Sequence, residues 1–292
     1  MNMNTDRAQP VRLLISTDAK NEADDQFAIA HALLSPTLDL RGLMPAHFGA
    51  AGSLQGSRDE VNLLLSLLEM DGQIPVSEGA AGPLPNDFTP RDSPAARKIL
   101  DESHHGGTLF IAALGPLTDV ASALLLDPDL AARDVVVIWI GGPPYGGVEP
   151  VYWPEFNLAN DIHAANVVFS SGIAIWQVPM DVYTLVGVSY QELELKVRPH
   201  GKIGEYLVRQ LLEWNSKNMT RKVDFRSLGD SPAIGLALNP YGAVWRRHLA
   251  PRFTPEGAMS SNNSTNHTIR VCERLDTRYL LEDFFAKLHR AP

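Results

Sequence analysis

Two hydrophobic patterns alternate along this chain. Short apolar runs at 13–15, 39–48, 108–114, 134–140 and 173–178 predict strands, and the near-continuous ones predict strands buried on both faces. Between them, apolar residues recur at helical spacing. They predict helices over 57–70, 95–102, 119–126 and 161–170, and one after the first strand that carries Phe27, Ile29, Ala30, Leu33 and Leu34. A short strand is expected at 74–77 and a Gly- and Pro-rich loop at 79–94. Beyond residue 190 the pattern is helical, with helices over 203–215, 233–238 and 280–288. Strands alternating with helices predict an α/β fold: an open, mostly parallel sheet with helices on both faces. We expect a single domain over 1–292, with a helical excursion at about 190–245.

Composition narrows the class. The chain has 292 residues, 45% of them hydrophobic and 20% charged, as in ordinary globular proteins. A net charge of −9 argues against nucleic-acid partners, which demand excess Lys and Arg. The single cysteine, Cys272, permits neither an intrachain disulfide nor a cysteine zinc cluster, and is expected as a small buried apolar residue. Residues 1–10 lack the apolar core of a secretory signal, and no apolar run approaches a membrane span. The expectation is a soluble cytoplasmic enzyme without a membrane partner. The sequon Asn262-Asn263-Ser264 would matter only in a secreted chain.

The candidate chemistry lies where the pattern switches from strand to helix. Asp18, Glu22, Asp24 and Asp25 crowd into the first such turn, at the carboxyl end of a strand, where open α/β sheets place ligands. Clustered carboxylates repel one another unless a cation neutralises them, and oxygen ligands suit Ca²⁺ or Mg²⁺. Acids are also common helix caps, and Asp24 with Asp25 could merely begin a helix. Three other strand-end or helix-start signals should reach the same sheet edge: Gly115-Pro116-Leu117-Thr118, Pro154-Glu155-Phe156-Asn157 and Asp230. Thr118 and Asp230 could each be a simple cap. His47 could line the pocket, and Trp153, beside Pro154-Glu155, is the tryptophan best placed to touch a flat ligand. No Gly-x-Gly-x-x-Gly follows the first strand, so dinucleotide binding is not supported.

These segments, with Gly141-Gly142, Asp161 and Phe169-Ser170-Ser171-Gly172, occur in an order that resembles the inosine–uridine-preferring nucleoside hydrolase family. The resemblance implies hydrolysis of the N-glycosidic bond of purine or pyrimidine ribonucleosides. It also implies a Ca²⁺ ion held by Asp18, Asp25, Asp230 and the backbone carbonyl of Thr118. Asp18 would be the general base, and Asp24, Glu155 and Asn157 would hold ribose hydroxyls. A homo-oligomer, dimer or tetramer, is expected with it. The chain departs from the family pattern in three places. Ser16 stands where an acid is usual, the turn from Asp18 to Asp24 is two residues longer, and Gly229 replaces a histidine found in many members. By spacing to Asp24 alone, Lys20 could occupy the base's position instead. Two rivals follow: a phosphatase-like hydrolase with an Asp nucleophile, against which Ser16 argues, and a non-catalytic Ca²⁺-dependent nucleoside or sugar binder.

Overall fold

The computed structural model describes residues 9–260 and 267–291; the sequon at 262–264 lies outside them. Strands β1 (Val11–Thr17), β2 (Leu38–Pro45), β3 (Leu109–Ala113), β4 (Val135–Ile140) and β5 (Ala174–Val178) come first. A two-stranded ribbon follows, β6 (Gly187–Ser189) with β7 (Phe225–Ser227), and then β8 (Ala243–Leu249). The small pair β9 (Arg252–Phe253) and β10 (Met259–Ser260) precedes β11 (Thr268–Leu275). Seven of these form the central sheet in the order β2-β1-β3-β4-β5-β11-β8. Every pairing in it is parallel except β11 with β8.

The sheet's two faces sort the apolar residues by alternation. On one side Leu13, Ile15, Ile138 and Ile140 pack against Phe27, Leu64, Ile203, Ile234 and Phe284. On the other, Leu14, Ile111, Val137 and Trp139 pack against Ile99, Val120, Val168 and Phe169. Burial on both faces explains why these strands read as continuous apolar runs. The helices supplying the first side are α1 (Asp25–Leu33), α2 (Ser53–Leu67), α9 (Gly201–Asn218), α10 (Ser231–Leu238) and α11 (Thr277–Leu288). Helices α3 (Pro94–Ser103), α4 (Thr118–Leu126) and α6 (Ile162–Ser170) cover the second. Shorter helices are α5 (Phe156–Asn160), α7 (Met180–Tyr183) and α8 (Tyr190–Lys196).

Two sheet strands escape the hydrophobic pattern. β8 is an edge strand whose Arg246 and Arg247 face solvent, and charge on an edge protects it from pairing with other chains. β11 joins β5 by a short register, Arg270 with Trp176 and Val271 with Gln177; its Arg270 guanidinium stacks on Trp176 and Trp245, so a charged residue sits inside a strand. The stretch 190–245 holds α8, α9 and α10, but also β7 and the start of β8. Cys272 is buried, as expected.

Parallel pairing brings the carboxyl ends of β1, β2, β3, β4 and β5 to one edge. The residues just past them are Asp18, Ala46, Leu114, Gly141 and Pro179.

Candidate active site

A cleft opens at that edge, and its lining includes Asp18, Asp24, Asp25 and Asp230 together with Tyr152, Glu155, Asn157 and Tyr183. The acidic turn after β1 is held from several directions. Asn21 donates its backbone N–H to the Asp18 carbonyl, 2.8 Å away. Gln26 of α1 donates to the Ala19 carbonyl, Trp214 of α9 to that of Asn21, and Gln210 of α9 to that of Ala23. The two extra residues are therefore fastened into the fold by α9. Lys20 points away to an ion pair with Glu60 of α2 at 2.7 Å and is not part of the cleft lining. The structure thus puts Asp18, not Lys20, in the cleft.

The capping alternative for the acids does not hold at two of them. Asp24 and Asp230 occupy the N-cap positions of α1 and α10, yet neither side chain makes a capping bond. Asp24 instead accepts from the Gly229 N–H at 2.9 Å, and Arg226 lies 3.7 Å from its other oxygen. Asp25 accepts a short hydrogen bond from the Thr17 hydroxyl. One oxygen from each of Asp24, Asp25 and Asp230 lies within 4.8 Å of the others. Burial raises the carboxyl pKa of all four acids. Desolvation is the largest cause throughout, and neighbouring carboxylates add to it at Asp18, Asp25 and Asp230; Asp25 is pushed up to about 7. Such a cluster shares a proton or holds a cation.

Close packing keeps Asp18 in place. A Cβ on Gly115 would fall 2.6 Å from an Asp18 oxygen, so that position must be glycine. The same turn is held from beneath by Trp139, whose indole N–H donates to the Gly115 carbonyl at 3.1 Å. Trp139 is fully buried, edge-on to Phe169 and Phe253, which makes it a core residue.

Asn157, also in the lining, donates both amide hydrogens to carbonyls at strand ends, Leu114 at 2.7 Å and Ile140 at 2.9 Å. Those partners fix the amide, leaving its Oδ1 as an acceptor in the cleft lining. Glu155 is fully engaged. One oxygen accepts from the N–H groups of Gly142 and Leu158, and the other from the Asn157 N–H and the Tyr183 hydroxyl. Gly142 takes φ +86°, and a Cβ there would lie 2.4 Å from Gln177 Nε2.

Three expected site residues lie elsewhere. Thr118 begins α4, and its carbonyl accepts from the Ser122 hydroxyl one turn on, at 2.7 Å. Its own hydroxyl donates to Asp161, so Thr118 does not line the cleft. Leu114, just past β3, does line the cleft, and its carbonyl accepts from the Asn157 amide there. His47 is buried and outside the cleft; one ring nitrogen meets Thr118 at 2.9 Å and the other accepts from the Gly49 N–H. Burial, with a smaller push from Arg91, lowers its pKa to about 4. Trp153 is half-exposed and outside the lining, whereas its neighbour Tyr152 is within it. Asp161 is a structural hub, capping α6 and accepting from the Leu84 N–H.

Sequence reasoning missed Leu114, Tyr152, Tyr183 and Arg226. Arg226 is buried against Trp214 and pairs with Glu22 and Asp24, offsetting part of the acidic charge. A Cβ on Gly229 would meet Tyr183 at 3.1 Å and Asp24 at 3.2 Å, so any side chain there would press on both.

The family model for inosine-uridine preferring nucleoside hydrolases matches residues 13–282. The chain belongs to that family. Among curated relatives, uridine nucleosidase 1 of Arabidopsis thaliana is 30% identical over 208 residues, 62% of this chain and 60% of the relative. The non-specific ribonucleoside hydrolase RihC of Escherichia coli is 32% identical over 196 residues, 59% of this chain and 62% of the relative. The aligned part thus spans about three-fifths of each relative's length. In fold, a plant nucleoside hydrolase, PpNRh1, superposes with a TM-score of 0.78 at 23% identity, covering 97% of this chain and all of that one. An inosine-guanosine nucleoside hydrolase superposes with a TM-score of 0.77 at 18% identity, covering 96% of this chain and 99% of that one. Among the described residues, no helix is long and apolar enough to cross a membrane.

Proposed function

We propose that this protein hydrolyses the N-glycosidic bond of ribonucleosides with the help of a bound Ca²⁺ ion, releasing a nucleobase and ribose. The observation that carries the proposal is the convergence of carboxylate oxygens from Asp24, Asp25 and Asp230 beneath the same cleft that Asp18 lines. The donor set fits a hard cation. It is all oxygen, it is buried, and among the described residues no Lys, His or Cys side chain lines the cleft with it. Asp25 and Asp230 of that cluster, joined by Asp18 and the Leu114 carbonyl from the same lining, would hold the ion, leaving Asp24 for the sugar and putting Leu114 in the place first expected of Thr118. When bound, such an ion lowers the pKa of a water and anchors a cis-diol.

The chain's own residues do the rest. Asp18 accepts the proton of the attacking water as its oxygen bonds to C1′. The C1′–N bond breaks, its electron pair leaves with the base, and positive charge develops on the sugar. The surrounding carboxylates favour that charge. Asp24, steadied by the Gly229 N–H, and the Asn157 Oδ1 accept from ribose hydroxyls.

The test is Asp18→Asn assayed at saturating Ca²⁺. The side chain keeps its shape and can still accept from Asn21, whose amide lies 3.3 Å from the carboxylate. The fold should survive while kcat falls by about 10² or more, the scale for losing a general base. An unchanged kcat would refute the mechanism.

A further inference from the structure

The β8–β11 edge of the sheet carries positive charge that the fold does not neutralise. The antiparallel register sets Arg270 of β11 directly across from Arg247 of β8. Directly opposed residues share a face, with Cβ atoms about 5 Å apart, and like charges placed so destabilise a sheet. Arg270 lies over two indoles, 4.6 Å from the Trp176 ring centre and 4.5 Å from that of Trp245. The indoles explain where Arg270 rests. They do not explain why its cross-strand neighbour is a second arginine. Burial first, and then the charge of Arg247, push the Arg270 pKa down, yet a guanidinium stays charged at physiological pH.

No acid answers the pair. Among the described residues, neither guanidinium makes an ion pair or donates a hydrogen bond. β8 contains no acid, and the single acid of β11, Glu273, pairs with Arg246. Arg246 stands opposite Val271, one residue along from the arginine pair and so on the other face. Arg247 is exposed and Arg270 half-buried, so their donors are open to a ligand. None of these residues lines the cleft. Each guanidinium presents a planar fork of donors that matches the oxygens of an oxyanion. Two uncompensated positive charges call for two negative ones. A carboxylate brings one, and a phosphate near pH 8 brings almost two. We propose that Arg247 and Arg270 form a binding site for a phosphate dianion, inorganic or as a monoester, on the β8–β11 edge outside the cleft. The net charge of −9 repels anions from the molecule as a whole, so an anion bound here is held by this pair. Trp176 and Trp245 fix the Arg270 fork in advance, which reduces the freedom lost on binding.

The test is calorimetric titration of the full chain, stripped of divalent ions, at pH 8 and low salt, with inorganic phosphate, methyl phosphate and acetate. Without a cation, the carboxylates of the cleft repel all three. Wild type should bind one inorganic phosphate per chain with a Kd on the order of 1 mM, the scale of two charge-assisted contacts. Acetate should bind about tenfold more weakly or worse. Methyl phosphate that binds at least as tightly as inorganic phosphate would assign the site to monoesters, and weaker binding would assign it to the free ion. Arg247→Gln and Arg270→Gln should each weaken phosphate binding about tenfold or more. Arg247 is exposed, so its replacement leaves the core intact. In phosphate-free buffer Arg247→Gln should melt no lower than wild type, because it relieves a like-charge pair. A lower melting temperature there would mark the pair as structural and overturn the assignment. So would phosphate binding that survives both substitutions, acetate that binds as well as phosphate, or no saturable binding by wild type.

Discussion

Replacing Asp230 by Asn should make the protein more stable without Ca²⁺ and much less responsive to it. Asp230 is buried at the start of α10 but makes no capping bond, so the substitution removes no cap. What it removes is charge. With oxygens of Asp24, Asp25 and Asp230 no more than 4.8 Å apart, each pair of full like charges costs at least about 3.5 kcal/mol at an effective dielectric of about 20. Asp230 takes part in two such pairs. Arg226, 3.7 Å from Asp24, and protons retained by the cluster offset much of this, leaving a net gain of about 2 kcal/mol. In a chain of this size that raises Tm by about 4 °C. Losing one charged ligand should weaken Ca²⁺ binding on the order of 100-fold. Thermal melts at pH 8, in chelator and in Ca²⁺, read both effects. A variant that melts lower than wild type in chelator would refute the reasoning, as would one that keeps the wild-type shift in Ca²⁺.

Activity should require the 2′-hydroxyl, because a site built to pair with it leaves buried groups unsatisfied by its absence; 2′-deoxyribonucleosides should react on the order of 10⁴-fold more slowly. Comparable rates on both sugars would contradict the placement of the diol. Ca²⁺ affinity, measured calorimetrically in buffers of different ionisation enthalpy, should fall between pH 8 and pH 6 with proton release on binding. Burial first, and the charge of Asp24 next, raise Asp25 to about 7, so protons compete with the ion there. The folded chain holds a proton that the unfolded chain has already released. In chelator, stability should therefore fall as pH rises from about 4 to 7. A flat profile in both measurements would remove the cluster from the binding site.

Much of this site is legible in the order of the amino acids, and the misses share a physical cause. β1 announces itself by an apolar run, and a following turn with four acids admits few readings. Asp18, Asp25 and Asp230 stand out because charged side chains leave a mark in sequence. A backbone carbonyl leaves none. Any residue can supply one, and the Gly-Pro-Leu-Thr turn points to Thr118 rather than Leu114 although the Thr118 carbonyl is turned into α4. His47 has the look of a pocket residue because it ends a strand, yet its ring is spent on Thr118 and Gly49. Trp153 and Tyr152 are neighbours, and only coordinates tell which of two adjacent rings enters the cleft. β8 and β11 leave no apolar signature because an edge strand carries charge and its neighbour holds an arginine between two tryptophans. Spacing alone leaves the register between Asp18 and Lys20 open; the ion pair from Lys20 to Glu60 accounts for where the lysine goes.

The central claim is tested most directly by stripping divalent ions from the protein with chelator and titrating Ca²⁺ back while following free ribose released from uridine and inosine. The account predicts no ribose in chelator and recovery of full activity that saturates at one Ca²⁺ per chain. Ribose release that proceeds undiminished in chelator, or none from any ribonucleoside at saturating Ca²⁺, would contradict it.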